Sequence, residues 1–542
     1  MNRPFHVKPN LADRVVGWLS PVAGVERLRA RGAMTALGGY NAGARSRRQT
    51  ERWRPAGGSA DTDTVDDLPN LRERSRDMER NNPLAATAID TETVNVVGTG
   101  LVLQAQPDGA ALGIDEAALA DLTRQLEAAW ELWAGSPDGD ATRTLAHAEQ
   151  QDLVLRSALL SGDVFAVKRW APLTGFPFAY RHQLVEADRC SNPDNTRDTA
   201  TRVAGVDLDA DGAPAGYHFA DRHPFDIRAA GQAARWVRVA AFGASGRRNV
   251  LHLFVRKRPE QTRGVPLLAP VLETLKQLDR FAEAELFAAV INACMAVETT
   301  TAEGEGVGAL ADGTTSRDEP RQPIVISEPG TFVNTVAGEK VASFATDRPS
   351  TAFSPFHDAI AVHIAAGLNM PAEVLLKRFS ASYSASRAAL EMVWQFWRRR
   401  RQWLARYYCQ PTYEDVILEA AARGMVDVPL AFWTDPLARA AVLRARWVGP
   451  ARISLDPARE STADERYLKM GATTLADVAA SRFGADWEDV LAQRARERAA
   501  GAPDPNASAA APAAPVPADP PVDGEDGGED GGEDADQPED KA

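Results

Sequence analysis

PLLAPVLETLKQLDRFAEAELFAAVINACMAV, residues 266–297, decides how this chain is built. Val271, Leu275, Leu278, Ala282, Leu286, Ala289 and Ala293 recur every three or four residues and lie on one helical stripe. Glu273, Lys276, Gln277, Arg280 and Glu283 fill the opposite face. Pro266 suits a first helical turn, where a missing N–H costs nothing. Carried through to Val297, the pattern predicts a strut of ~30 residues, about 45 Å long at the helical rise per residue. Its second half is apolar on nearly every side, so in water it needs covering by neighbours, further copies of the chain among them.

Upstream, the signals are mainly those of strands. Residues 164–170, 178–185, 203–208, 216–219, 236–242 and 250–255 are rich in β-branched and aromatic residues between Gly, Asp and Pro breaks. Before them, a polar helix over 70–81 is stopped by Asn81-Asn82-Pro83, and a second helix runs through Ile89. Residues 94–106 then read as strands with a tight turn at Gly98 and Gly100, followed by helices over 119–133 and 151–160. Downstream, residues 299–322 are Gly, Thr and acid rich, and 324–345 return as short strands. Helices resume over 353–368 and from 384 to 422, the latter broken or kinked at Pro411, and the last folded segments are 457–470, 474–482 and 487–496.

A chain of 542 residues exceeds one hydrophobic core and predicts several domains or layers. Its net charge of −14 is uneven. Residues 501–542 carry twelve acidic residues against Lys541 and are of low complexity, so they are expected to stay disordered. Residues 26–54 hold eight arginines against Glu26 and Glu51, which marks an arm suited to an acidic partner; the first 70 residues read as extended, apart from a short helix near 11–20. Cys190, Cys294 and Cys409 lie far apart, which fits a reducing cytoplasm. No signal peptide is recognised, and no apolar run reaches the ~20 residues of a membrane span.

The chemical motifs are mostly negative. None of the eight lysines sits in a phosphate-binding GxxxxGK[ST] loop, and GxSxG and HExxH are absent. Asp207, Asp209, Asp211 and Gly212 match the first half of a calcium loop, but the twelfth position is His218 and Pro214 interrupts it; a β-hairpin turn between Val206 and Tyr217 is the better reading. His357 and His363 fall on different helix faces. In WQFWRRRRQW (394–403), aromatics alternate with arginines in a way that suits nucleic acid, while Val393, Phe396, Trp403 and Tyr407 form an ordinary core stripe.

Several segments together resemble the lambda-type family of phage portal proteins. The first are LRERSRD (71–77), RNNP (80–83), AID (88–90) and NVVGTG (95–100). Then come GLNMP (367–371), LL (375–376), FS (379–380) and YSASR (383–387), running into the arginine-rich helix and CQP (409–411). The matching residues are Asn81, Asn82, Pro83, Gly98, Gly100, Gly367, Pro371, Tyr383, Ser384 and Arg387. Ala385 stands where the family usually has a second Ser, and Asn369-Met370 replaces a more usual pair. The resemblance covers about residues 70–425.

What the resemblance implies is an α+β, multi-layer ring subunit with wing, stem, clip and crown around a tunnel. Residues 1–69 are the basic arm, 70–264 the wing, 265–297 the first stem helix, 298–350 the clip and 351–368 the second stem helix. Residues 369–383 are the tunnel loop, 384–449 the long helix and rest of the wing, 450–500 the crown and 501–542 the acidic tail. It implies a structural virion protein, twelve-fold, set at one capsid vertex after assembly in the host cytoplasm. The ring packages and ejects double-stranded DNA without sequence specificity, and its partners are the major capsid protein, the terminase large subunit and head-completion or tail connector proteins. No enzyme activity, cofactor, metal or membrane contact is expected. Lys377 and Arg378 are the DNA-facing candidates on the tunnel loop. A capsid or head-tail adaptor protein and a DNA-processing packaging enzyme are the alternatives.

Overall fold

The computed structural model describes residues 11–36, 57–229, 234–293, 297–300, 332–335, 353–379, 382–452 and 456–501. They form a mixed helix and sheet protein, as the sequence predicts. The chain divides into two compact units, Met1–Leu455 and Asp456–Ala542.

The first unit starts with helices α1 (Leu11–Leu19) and α2 (Pro21–Ala36), so the arm is less extended than its composition suggests. Pro21 takes a first-turn position and Ala, Leu, Glu and Arg carry α2 onward. Then follow α3 (Leu68–Asn81) and α4 (Pro83–Val96), joined at Asn82, whose side chain accepts from Ala85 N and caps α4. Val94–Val96, expected in a strand, are helical. Arg401 donates to the carbonyls of Asn95 and Val96 at the end of α4, and Arg400 pairs with Glu92 on it. These tertiary contacts override the β-branched preference.

Strand β1 (Val102–Ala105) precedes α5 (Gly109–Leu112), α6 (Glu116–Ala134) and α7 (His147–Ser161). The β-rich region follows as β2 (Asp163–Trp170), β3 (Tyr180–Glu186), β4 (Arg202–Val203), β5 (Val206–Leu208), β6 (Pro214–Ala220), β7 (Trp236–Ala240) and β8 (Val250–Phe254). Two antiparallel sheets result, of order β3-β2-β8 and β4-β5-β6-β7. Residues 203–208, read as one strand, turn at Ala204-Gly205 between β4 and β5, where Gly205 has φ +85°. The hairpin between Val206 and Tyr217 is present, with those two residues paired.

Helix α8 spans Leu272–Ala293. It starts six residues later than expected because Pro270 interrupts the ladder and restricts the residue before it; Leu275 N to Val271 O, 2.8 Å, is among its first bonds. Its length is therefore about 33 Å. Val297 belongs to β9 (Val297–Thr300), which pairs in parallel with β10 (Phe332–Thr335). The rest of 298–350, including most of the expected clip, lies outside the described residues, as do Cys294 and the acidic tail.

Next come α9 (Phe353–Gly367), α10 (Ala372–Leu375) and α11 (Tyr383–Leu404), a π-helical turn at Ala405–Cys409, and α12 (Gln410–Ala422). The helix is not broken at Pro411: the extra residue of the π turn makes room for a proline whose ring opposes the carbonyl four residues back. Within α11 and the π turn, Val393, Trp397, Leu404 and Tyr408 are buried, whereas Tyr407 is exposed. Of the expected stripe, Val393 is buried and Trp403 packs against the core, Phe396 is half-buried, and Tyr407 is turned out while Tyr408 takes the buried position. After α13 (Ala431–Thr434) and α14 (Pro436–Val442), β11 (Ala445–Val448) pairs antiparallel with β1.

One core unites α3, α4, α7, α8, α9, α10 and α11. A second gathers Trp130, Trp133, Tyr180, Tyr413 and Phe432, and a third lies between the two sheets around Phe165 and Phe219. The second unit contains α15 (Pro457–Lys469), α16 (Leu475–Val478) and α17 (Trp487–Ala499), tied by Arg482 to Asp464 and Glu460. Among the described residues no helix is long and apolar enough to cross a membrane.

Candidate functional site

The two long helices α8 and α9 meet through Phe281, which stacks on Phe353 at 5.4 Å and meets Phe356 edge-on at 4.9 Å. At the other end of α9, a Cβ on Gly367 would lie 2.5 Å from Val271 Cγ1, so glycine allows the backbone to reach the start of α8. Leu275, Leu278, Ile364, Leu368 and Leu375 are buried there together.

The segment after α9 is held by two left-handed caps. Asn369 has φ +56° and Met370 N donates to Ala365 O at 3.0 Å; Lys377 has φ +52° and Arg378 N donates to Glu373 O at 3.0 Å. Both are Schellman geometries, which close the ends of α9 and α10. The Asn369 substitution noted in the sequence therefore sits where asparagine is favoured over other non-glycine residues. Lys377 and Arg378 are exposed, and the Arg378 guanidinium lies 3.6 Å from Asp358 on α9. That pairing was not legible in the sequence, because nineteen residues and a change of direction separate the two side chains.

The other motif residues lie at the ends of α3, α4, α10 and α11. Pro83 starts α4, and Asn82 Nδ2 donates to Asp279 on α8 at 2.6 Å. Asn81 only reaches back to Asp77 on its own helix. Gly98 and Gly100 have φ +59° and +114°, and their missing side chains leave room for Pro450 and Ala148. Pro371 caps α10, while Tyr383, Ser384 and Arg387 lie at the start of α11, with Ser384 and Arg387 exposed. These are joints rather than a reactive cluster.

In the arginine run, Arg400 and Arg401 turn inward to α4 while Arg398 and Arg399 are exposed. Arg401 also lies over the Trp394 ring at 5.1 Å, and its pKa falls to about 10 through burial and the neighbouring Arg398. The calcium reading has a competitor: Asp207 binds Arg202, Arg238 and His218, which hold its carboxyl down to about 2 against the effect of burial. Glu186, Asp188 and His223 are close enough to share a metal, but Arg76 already pairs with both carboxylates.

The family described as phage portal protein, lambda family, matches residues 46–401. The chain belongs to this family. It is 26% identical over 488 residues to portal protein B of Escherichia phage lambda, covering 85% of this chain and 90% of that protein. It is 26% identical over 489 residues to the portal protein of Escherichia phage N15, covering 85% and 91%. Among solved structures it is similar to a chain from the neck of a native gene transfer agent particle, with TM-score 0.37 and 16% identity, covering 76% of this chain and 92% of that one. For a chain of the gene transfer agent virion the TM-score is 0.35 and the identity 14%, with the same coverage.

Proposed function

We propose that this phage portal protein closes into a twelve-fold ring at one vertex of the virion shell. Double-stranded DNA passes through the ring during packaging and ejection, and terminase and head-completion or tail connector proteins dock on it. The match to the portal family over residues 46–401 carries this reading. The protein acts as a conduit and has no catalytic step of its own. Lys377 and Arg378, exposed in the connector after α10, are the groups that meet phosphates; each contact is weak and salt-sensitive, on the order of 1 kcal/mol or less, which suits sliding.

The test has two arms. Negative-stain images of purified protein are expected to show rings with a central hole, and particles built with Lys377→Ala/Arg378→Ala are expected to package or retain less DNA. A monomer with no rings at high concentration overturns the ring; normal DNA content in the double variant overturns the role of the two cations.

A further inference from the structure

The first two helices are built inside out. Where α1 and α2 meet, the contact is between glycines: a Cβ on Gly24 would stand 2.5 Å from the Cα of Gly17. Beside it, the buried carboxylate of Asp13 accepts from Arg27 Nε at 3.0 Å. Val16 and Leu28 are half-buried, but most of the large apolar side chains stay open to solvent. Leu11, Val15, Trp18 and Leu19 on α1 and Val22 and Val25 on α2 are all exposed, Trp18 to 85%. A helix pair in water normally turns such a row inward, so a surface of this kind marks a docking site.

Its charge indicates what covers it. Residues 1–54 hold ten arginines and Lys8 against Asp13, Glu26 and Glu51, a net of +8 in a chain whose total is −14. Arg14 and Arg29 are exposed on the same two helices. The helices have 9 and 16 residues, too short to cross a bilayer, yet lying along one requires only an apolar face and a cationic flank. The close approach of Gly17 and Gly24 and the Asp13–Arg27 pair hold the two helices together without drawing on the exposed apolar residues. Tryptophan also suits the boundary between headgroups and acyl chains.

We propose that the α1–α2 corner is an interfacial anchor for an anionic lipid surface, its exposed apolar residues entering the headgroup boundary while Arg14 and Arg29 lie among lipid phosphates. This is independent of the ring, since it concerns a helix pair outside the α8–α9 core. It also departs from the sequence expectation of no membrane contact, which rested on the lack of a spanning segment. A partner protein with an apolar groove and an acidic rim is the competing occupant.

The experiment is flotation of the full-length protein with vesicles of phosphatidylglycerol and phosphatidylcholine in equal parts. Binding is expected to these vesicles but not to pure phosphatidylcholine, and to weaken with salt. Trp18→Ser/Val22→Ser is expected to lose about tenfold in affinity with its thermal melt unchanged, because both side chains are exposed in the folded protein. Brominated acyl chains are expected to quench a part of the fluorescence that is missing in Trp18→Phe. No flotation overturns the proposal in favour of a protein groove, as does flotation that the double substitution leaves unaltered. Equal binding to neutral vesicles overturns the role of the arginines.

Discussion

Asp163 and Arg263 join the start of β2 to the segment leading into α8 inside the protein. Arg263 Nε donates to Asp163 Oδ2 at 2.6 Å, and its terminal nitrogens reach Asp163 Oδ1, Cys190 O, Ala187 O and Ala204 O. Arg72 from α3 donates to the same carboxylate at 2.9 Å. The chains cross without side chains: a Cβ on Gly264 would lie 1.9 Å from Gly162 O. Burial alone raises the Asp163 carboxyl, but Arg263, Arg72 and His252 hold it well below the usual range.

Removing that carboxylate takes from two buried guanidinium groups the counter-charge they share, leaving Asp188, 3.7 Å from Arg72, as the remaining acid beside them. Asp163→Ala is expected to cost about 3–5 kcal/mol, read from urea unfolding followed by circular dichroism. The depressed pKa adds a sign: the contribution is complete above the unfolded value of about 3.9 and is lost as pH falls through the lower folded value. The variant should therefore show a flatter acid limb than the wild-type protein. A loss below about 1 kcal/mol would mean that neighbouring groups replace the carboxylate.

This joint also shows where the sequence stops being legible. The α8 pattern, the middle strands and the hairpin at Val206 and Tyr217 follow from local periodicity and turn residues, and they appear in the structure. The caps at Asn369 and Lys377 and the bond from Asn82 to Asp279 depend on backbone conformation or on partners far along the chain. Val94–Val96 fail for the same reason, since Arg401 decides their conformation from 305 residues away. Of the family-motif residues, Gly367 meets Val271 and Asn82 meets Asp279, contacts that no local pattern in the sequence specifies.

His147 gives a second pH effect. Its ring is buried among Trp130, Trp133 and Tyr408, at centroid distances of 4.9, 5.6 and 5.3 Å, and neither ring nitrogen has a partner. Burial lowers its pKa to about 3. His182 is held well below its ordinary value by burial, with His147 and Lys168 adding to it. Below the unfolded pKa of about 6.5 the unfolded chain binds protons that the folded one refuses, so stability falls with pH by about 1.4 kcal/mol per unit for each group. His147→Phe is expected to reduce that slope between pH 6.5 and 5 by about one proton, measured from denaturation midpoints across the range. An unchanged slope would show that the imidazole already titrates in the folded state.

Lys377 is held at φ +52°, a conformation that costs a β-carbon-bearing residue about 1 kcal/mol. Lys377→Gly should therefore stabilise the protein slightly, or leave it unchanged, in a thermal melt, while Lys377→Val should lower the melting temperature. If Gly and Val behave alike, the left-handed cap is not maintained in solution. The comparison also separates the backbone role of this position from its charge, because Lys377→Gly keeps the cap and removes the cation.

The exposed half of α8 supplies the last prediction. Leu286, Phe287 and Val290 are each more than half exposed, and Phe356 and Val362 on α9 are similarly open. In contrast, Leu272, Leu275 and Leu278, two to four turns earlier on α8, are buried against the body. The same helix thus has one end satisfied within the subunit and another end left apolar in water, where a second copy can cover it. Leu286→Glu/Phe287→Glu should leave the subunit folded, because neither side chain contributes to its buried core, but should prevent assembly by placing carboxylates in a face that must dehydrate. Light scattering is expected to report a monomer for this variant under conditions where the wild-type protein forms larger particles, with matching circular dichroism spectra. Rings of normal size from the double variant would show that subunits meet through a different face, while loss of helical signal would mean that these residues support folding.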